Sequence, residues 1–438
     1  MVEHSWTARA ERVLAGGPGT FSKHMSRYPQ GIGPEALIRG DGCYVWGTDG
    51  RRYLDTVSAL GPLLLGYNHP AVTDAILDQL AAGTSFSMLH PLEVEVGELL
   101  CEILPCAEMC RFARNGTDVT NMAIRLARAF TGKRHALFVG YHGGGSDSYG
   151  ITTDKRAGIL PELARYNHQI AWGDFVALAE ALETSHDDLA VIMAEVPSRL
   201  WGQNRFGHWF PDVKNMLHNY TAAAHRHGAL FVLDEIVTFP RYHLGGAQTL
   251  YGVTPDLCTI SKALANGLPL AALVGKRQVM DRLNIGDIFA SYTFSGETTA
   301  LAAAKAVLTT LRDTDALANL QTQGQRYGDG LQALFREYAL PVTLLGNYAR
   351  LAVRWQEVPG VATSQELRTL WLAEQARRGV LAGIGVVFPQ CCWASAEVDL
   401  LLRVADEVCA LIRAALDTQM VQAALPCAVI DDVLAVRA

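Results

Sequence analysis

Five apolar runs punctuate the middle of the chain, and each stops at polar residues: MCRFARNG, HALFVGY, AVIMAEVP, FVLDEIV and PDLCTIS. Helical patterns precede them at 71–82 and 92–104, and helices such as 211–227 lie between them. Strands that are apolar throughout and alternate with helices argue a mostly parallel sheet covered on both faces. Ligands of such sheets bind outside the carboxyl ends of the strands. Those ends carry Asn115-Gly116-Thr117, Tyr141-His142, Glu195, Asp234 and Ser261-Lys262, so a single crevice is expected to hold all five groups.

The 438 residues suffice for two domains. DGCYVWGTDGRRYLD, residues 41–55, reads as two short strands around a Thr-Asp-Gly turn. From about 297 the pattern turns helical, and the C-terminal portion mixes strands (PVTLLG, RLAVRW) with a long helix around 397–416. The expected architecture is α/β: a large domain over 61–305, with a smaller α+β domain built from 1–60 and 306–438. No apolar run approaches the roughly 20 residues of a membrane span. The opening MVEHSWTARAERVL has acids and no apolar signal core, so a cytoplasmic protein is expected. A net charge of −7 lacks the basic footprint of a nucleic-acid binder. The nine cysteines show no zinc spacing, and no metal is expected.

Of the 37 basic side chains only seven are lysines. Lys133, Lys155 and Lys276 each precede an arginine in polar surroundings, which suits solvated surface. Lys262 follows an apolar strand amid small residues, with Asp256 the one charge near it in sequence. Desolvation there would lower its pKa and free a nucleophilic amine; a lysine snorkelling out of a strand end is the bland alternative. Asp234, at the end of the preceding buried strand, sharpens the choice. An acid beside a pyridine nitrogen and a lysine that condenses with an aldehyde are the pair a pyridoxal phosphate site requires. A pyridinium opposite Asp234 would also make a buried carboxylate tolerable, while Glu235, on the other strand face by period two, points elsewhere. Asn115, Gly116 and Thr117 enter a helix whose amino end would receive a phosphate, although a plain helix cap reads the same way. Tyr141 is placed to stack on a flat ring, and His142 either serves that ring's surroundings or is a loop histidine.

With RNGTDVTNMAIRLARAFTGK, GYHGG, LDEIVTF, GVTPDLCTISKALANGLPLAALVG and YTFSGETTALAAAKA, the chain resembles the class III pyridoxal-phosphate aminotransferases, in their glutamate-1-semialdehyde aminomutase-like branch. The resemblance implies a fold-type I homodimer with active sites at the subunit interface and pyridoxal 5′-phosphate as cofactor. It implies Lys262 as the cofactor lysine and Asp234 as the pyridine partner, with Asn115, Gly116 and Thr117 at the phosphate. Tyr141 and Ile236 would cover the two ring faces, and Thr293 would reach the neighbouring subunit's phosphate. The family's usual serine is Asn115 here, preceded by Arg114, and its Glu-Pro after the fourth strand is Glu195-Val196. GETTA replaces its Gly-Asn-Pro, and Lys23 stands nearest its substrate-binding arginine. The implied reaction moves an amino group from a small amino donor, glutamate first, to a keto or aldehyde acceptor of sugar-like or natural-product type. An intramolecular aminomutase and a degenerate, non-catalytic relative are the alternatives. Lys23, His24, Ser87, His90 and Trp201 are candidate substrate-wall residues.

Overall fold

The computed structural model describes residues 5–196, 212–284, 286 and 288–430, and these divide into two compact units. One comprises residues 70–314, the other 5–69 with 315–430. The boundaries therefore fall later than the expected 60/61 and 305/306. Residues 61–69 stay with the smaller unit because Tyr67 pairs with Gly42 through two backbone hydrogen bonds. The helix begun at Thr298 runs unbroken to Asp313 and packs within the larger unit.

The larger unit is built on seven strands: β1 (Met109–Ala113), β2 (His135–Val139), β3 (Asn167–Ile170), β4 (Leu189–Glu195), β5 (Leu230–Asp234), β6 (Leu257–Ile260) and β7 (Ala271–Gly275). Their order across the sheet is β1-β7-β6-β5-β4-β2-β3. Only β7 is antiparallel to its neighbours, β1 and β6. The sequence reading did not single out β3 or β7. β3 is NHQI, polar and at the sheet's edge, and β7 is largely small residues, so neither shows as an apolar run.

Helix α1 (Gly116–Thr131) follows β1, and its apolar stripe of Val119, Met122, Ala123, Leu126 and Ala127 is buried. That stripe shares one cluster with Phe138, Met193, Val232 and Leu273 of the sheet. The alternate residues Leu137, Ile192, Phe231 and Leu233 are fully buried as well. Both faces are thus covered, as continuous apolar strands require, and each buried Leu, Ile or Phe contributes about 1.5–3 kcal/mol. Helix α2 (Val213–Arg226) packs on β4 and β5.

The smaller unit joins the two ends of the chain. Val380–Leu381 pairs in parallel with Arg52–Asp55, the second arm of the hairpin expected at 41–55. A second sheet holds Val342–Asn347, Arg350–Trp355 and Val386–Val387. Trp355, Trp371 and Trp393 fill the core with Tyr327 and the long helix Ser395–Asp417. Among the described residues no helix is long and apolar enough to cross a membrane.

At the amino edge of the large sheet, Asp256 ties several elements together. Its carboxylate accepts from Lys276 Nζ at 2.6 Å, Phe231 N at 2.8 Å and His225 Nε2 at 2.8 Å. Lys276 therefore serves a buried acid rather than a solvated surface, and Asp256 is committed to Lys276 and His225. Burial alone would raise the Asp256 carboxyl, but these three donors outweigh it and hold it below the ordinary value of 3.8. A depressed folded-state pKa gives stability that is present above the unfolded value and lost as pH falls through the folded one. Asp256→Asn is expected to cost about 2 kcal/mol at pH 7. Urea unfolding across pH should show the gap to the parent protein closing only below about pH 4.

Candidate active site

Because β7 is antiparallel to both β1 and β6, β1 points the same way as β6, β5, β4, β2 and β3. The carboxyl ends of β1, β2, β4, β5 and β6 therefore share one edge of the sheet. Register aligns Asp234 with Glu195 on one side and with Thr259 on the other.

Asp234 is buried, and three protein donors hold its carboxylate. Thr259 Oγ1 and the amide of Ile236 each donate to Oδ1 at 3.1 Å, and His142 Nδ1 lies 2.7 Å from Oδ2. The other nitrogen of His142, Nε2, lies 3.1 Å from the carbonyl of Val139. Both ring nitrogens of His142 therefore face acceptor oxygens, the Asp234 carboxylate on one side and a backbone carbonyl on the other. Glu235 faces away. It accepts from the amides of Ala247 and Gln248, from the Gln248 side chain and from Thr238. Burial pushes its carboxyl up, and the Ala247 and Gln248 donors pull it back.

Contacts link Asp234 to most of the other candidates. A Cβ on Gly116 would stand 2.7 Å from Ile236 Cδ1, so the opening of α1 packs directly on the residue two beyond Asp234. Gly143 and Gly145 come equally close to Thr117, at 3.1 and 3.0 Å from a notional Cβ. On the far side, Gly140 has φ +95° and its Cβ position would lie 2.3 Å from Glu195 Cγ. Glu195, Tyr141, His142, Asp234, Ile236, Gly116 and Thr117 thus line one continuous edge.

Asn115 is the N-cap of α1. Its Oδ1 accepts the Asp118 amide at 3.2 Å, while its Nδ2 and Arg114 Nε each donate to Asp118 Oδ2 at 3.2 Å. The side chain at 115 is thereby folded onto the helix. What the helix presents outward is the first-turn amides of Gly116 and Thr117, which have no acceptor within it, and the positive end of its dipole. Lys262 stands just past β6, half-buried, three residues beyond Thr259, and opens the short turn Lys262–Ala265. Its φ of +47° is unusual for a side chain with a Cβ and marks a residue held by its surroundings.

Thr293 lies exposed in the turn after Tyr292, apart from this ring of contacts, although Tyr292 donates to the Asp118 carbonyl at 3.3 Å. Of the wall candidates, His90 caps the helix Pro91–Ile103 and stacks on Phe86, and Ser87 is exposed. Lys23 and His24 belong to the smaller unit, and Trp201 lies outside the described residues. The sequence reading passed over Thr259, whose signal was one hydroxyl inside the apolar LCTI. It also passed over Tyr149, buried on the short helix Asp147–Gly150.

A family model described as "Aminotransferase class-III" matches residues 34–346. The glutamate-1-semialdehyde 2,1-aminomutase of Chloroflexus aurantiacus is 36% identical over 358 residues, 78% of each chain. That of Thermus thermophilus is 32% identical over 388 residues, 84% of this chain and 87% of its own. Among solved structures, the PLP internal aldimine form of the FumI protein from Sphingopyxis sp. MTA144 shares the fold. Its TM-score is 0.82 at 24% identity, over 94% of this chain and 96% of that one.

Gly140→Ala combines a left-handed backbone with a Cβ placed against Glu195. It is expected to destabilise the protein by about 2–4 kcal/mol. Thermal unfolding should register this as a clear drop in Tm; an unchanged Tm would mean that the loop carrying Tyr141 and His142 adapts without strain.

Proposed function

Since this chain belongs to the class III aminotransferases, we propose that it binds pyridoxal 5′-phosphate at the carboxyl edge of its large sheet and moves an amino group from an amino-acid donor, L-glutamate first, to a keto or aldehyde acceptor. The observation that carries this reading is the buried Asp234, hydrogen-bonded to His142 and one strand away from Lys262.

The residues fit such a cofactor. An ionised carboxylate offers about four acceptor positions, and Asp234 uses three within the protein. One remains for a protonated ring nitrogen. The first-turn amides of Gly116 and Thr117 suit a phosphate dianion, and the half-exposed ring of Tyr141 and the side chain of Ile236 are an aromatic and an apolar surface for the two faces of a flat ring. When bound, the cofactor supplies an aldehyde that captures amines and a ring that withdraws electrons from the attached carbon.

Around that chemistry the chain's own groups have separate tasks. Lys262 Nζ would take the proton from the donor's α-carbon and deliver it on the far side of the transferred nitrogen, acting as base and then acid. Asp234 keeps a proton on the ring nitrogen, and His142 holds the Asp234 carboxylate in place. Tyr141 and Ile236 exclude water from the ring faces. Two copies of the chain form the working unit, with Thr293 presented to the partner's phosphate. In support, Phe294 beside Thr293, and Phe86, Met88 and Leu89 ahead of the helix Pro91–Ile103, expose large apolar side chains.

Relatives named glutamate-1-semialdehyde 2,1-aminomutase favour a second reading, in which the amino group returns to the same molecule. The two readings separate on whether turnover needs a distinct amino donor.

Purified protein should absorb in the visible and bleach on addition of L-glutamate alone. A band unmoved by glutamate would turn attention to other donors or to the aminomutase, and a protein colourless even with added pyridoxal phosphate would remove the proposal. Lys262→Ala should abolish turnover with the fold intact, and Asp234→Asn should slow it on the order of a hundredfold or more. Sedimentation should show a dimer, driven towards monomer by Met88→Glu with Leu89→Glu.

A further inference from the structure

Tyr149 is not part of the edge described above, yet its ring meets two of the residues assigned there, Tyr141 and His142. Its side chain is fully buried on the short helix Asp147–Gly150. Three rings meet it nearly at right angles: Tyr141 at 5.8 Å between centroids, His142 at 5.4 Å and Phe138 at 5.6 Å. Perpendicular packing sets the positive rim of one ring against the negative face of another. The phenol also acts on the backbone. Tyr149 Oη donates to the carbonyl of Gly140 at 3.2 Å, and Gln169 Nε2 donates to the same oxygen at 3.0 Å. Thr152 Oγ1 in turn holds Gln169 Oε1 at 3.2 Å. Gly140 is the left-handed residue that launches Tyr141 and His142 off the end of β2.

We propose that Tyr149 is the positioning residue of this site, one buried side chain that sets the ring of Tyr141 and the imidazole of His142 together. The proposal rests on the cofactor reading above, in which Tyr141 covers a ring face and His142 secures Asp234. Tyr141 is 43% exposed, and its ring meets the buried ring of Tyr149 edge-on. An edge contact with a buried neighbour keeps it in one orientation before any ligand arrives, and preorganisation of that kind raises affinity by cutting the cost of ordering. The same neighbour fixes the imidazole that pairs with Asp234. The phenol hydroxyl and the ring have separable tasks, because Gln169 remains on the Gly140 carbonyl when the hydroxyl is lost.

The test is titration of cofactor-free protein with pyridoxal phosphate, followed by fluorescence and by the pH midpoint of the visible band. Tyr149→Phe should weaken binding by less than about threefold. Tyr149→Leu should weaken it by tenfold or more and move the pH midpoint, since His142 no longer holds Asp234 in place. Placed on a Tyr141→Leu, His142→Ala background, Tyr149→Leu should add less than about twofold, as contacting residues are expected to be non-additive. Effects that multiply in full, with an unmoved pH midpoint, would reduce Tyr149 to core packing and overturn the proposal. If Tyr149→Leu fails to fold, Tyr149→Phe combined with Gln169→Leu removes both donors to Gly140 and keeps the ring. It should bind about fivefold more weakly than Tyr149→Phe alone, and equal affinity would overturn the proposal. A parent protein that binds no pyridoxal phosphate would sink the cofactor reading itself and this inference with it, whereas tight binding by both parent and Tyr149→Leu would sink this inference alone.

Discussion

Burial of the Asp234 carboxylate is the constraint around which the rest of the large unit is arranged. An isolated charge at that depth would cost several kcal/mol, and the fold meets the cost with donors from three directions. Thr259 comes from the neighbouring strand, Ile236 from the chain just beyond, and His142 from the loop after β2. Each donor belongs to a different stretch of sequence, so the carboxylate cannot be satisfied unless β2, β5 and β6 are assembled in register. Once they are, the next residues along those stretches, Ile236, Tyr141 and Lys262, come to the same edge.

The direction of a single strand completes the site. β7 returns antiparallel between β6 and β1 and so turns β1 to run with the others. The helix that follows β1 therefore opens at the edge where Asp234 lies, and Gly116 packs on Ile236. Had β1 run the other way, that helix would begin at the opposite edge, beside Asp256. The glycines at this edge give space: Gly116 lets backbone approach Ile236 more closely than a side chain allows, and Gly143 and Gly145 pack tightly on Thr117.

The acids at the two edges of the sheet illustrate separate uses of one functional group. Asp256 is spent on structure, with an ammonium, a histidine and an amide to satisfy it. Glu235, adjacent to Asp234 in the chain, is spent on the backbone amides of 247 and 248. Asp234 takes three donors, from Thr259, Ile236 and His142. Sequence neighbours diverge in role because successive strand residues face opposite sides of the sheet.

Much of this was legible in the residues. Apolar strands ending in polar groups announce a parallel sheet with its ligands at the carboxyl edge, because a strand buried on both faces leaves only its ends for chemistry. Asp234 and Lys262 stood out because a charge is costly inside an apolar run. The polar edge strand β3 and the small-residue strand β7 did not, since their placement comes from pairing with neighbours rather than from their own pattern. Nor did sequence resolve His142, which read equally well as a loop histidine. Its distance to Asp234 depends on how a loop folds back across 92 residues. Tyr149 carried no sequence signal, since a buried tyrosine is ordinary until its neighbours are known. The sequence by itself determined which residues carry charge and which strands must be buried, because those follow from solvation. Only the tertiary structure decided which of those residues meet, because hydrogen bonds and ring contacts act over a few ångströms that the chain's order does not specify.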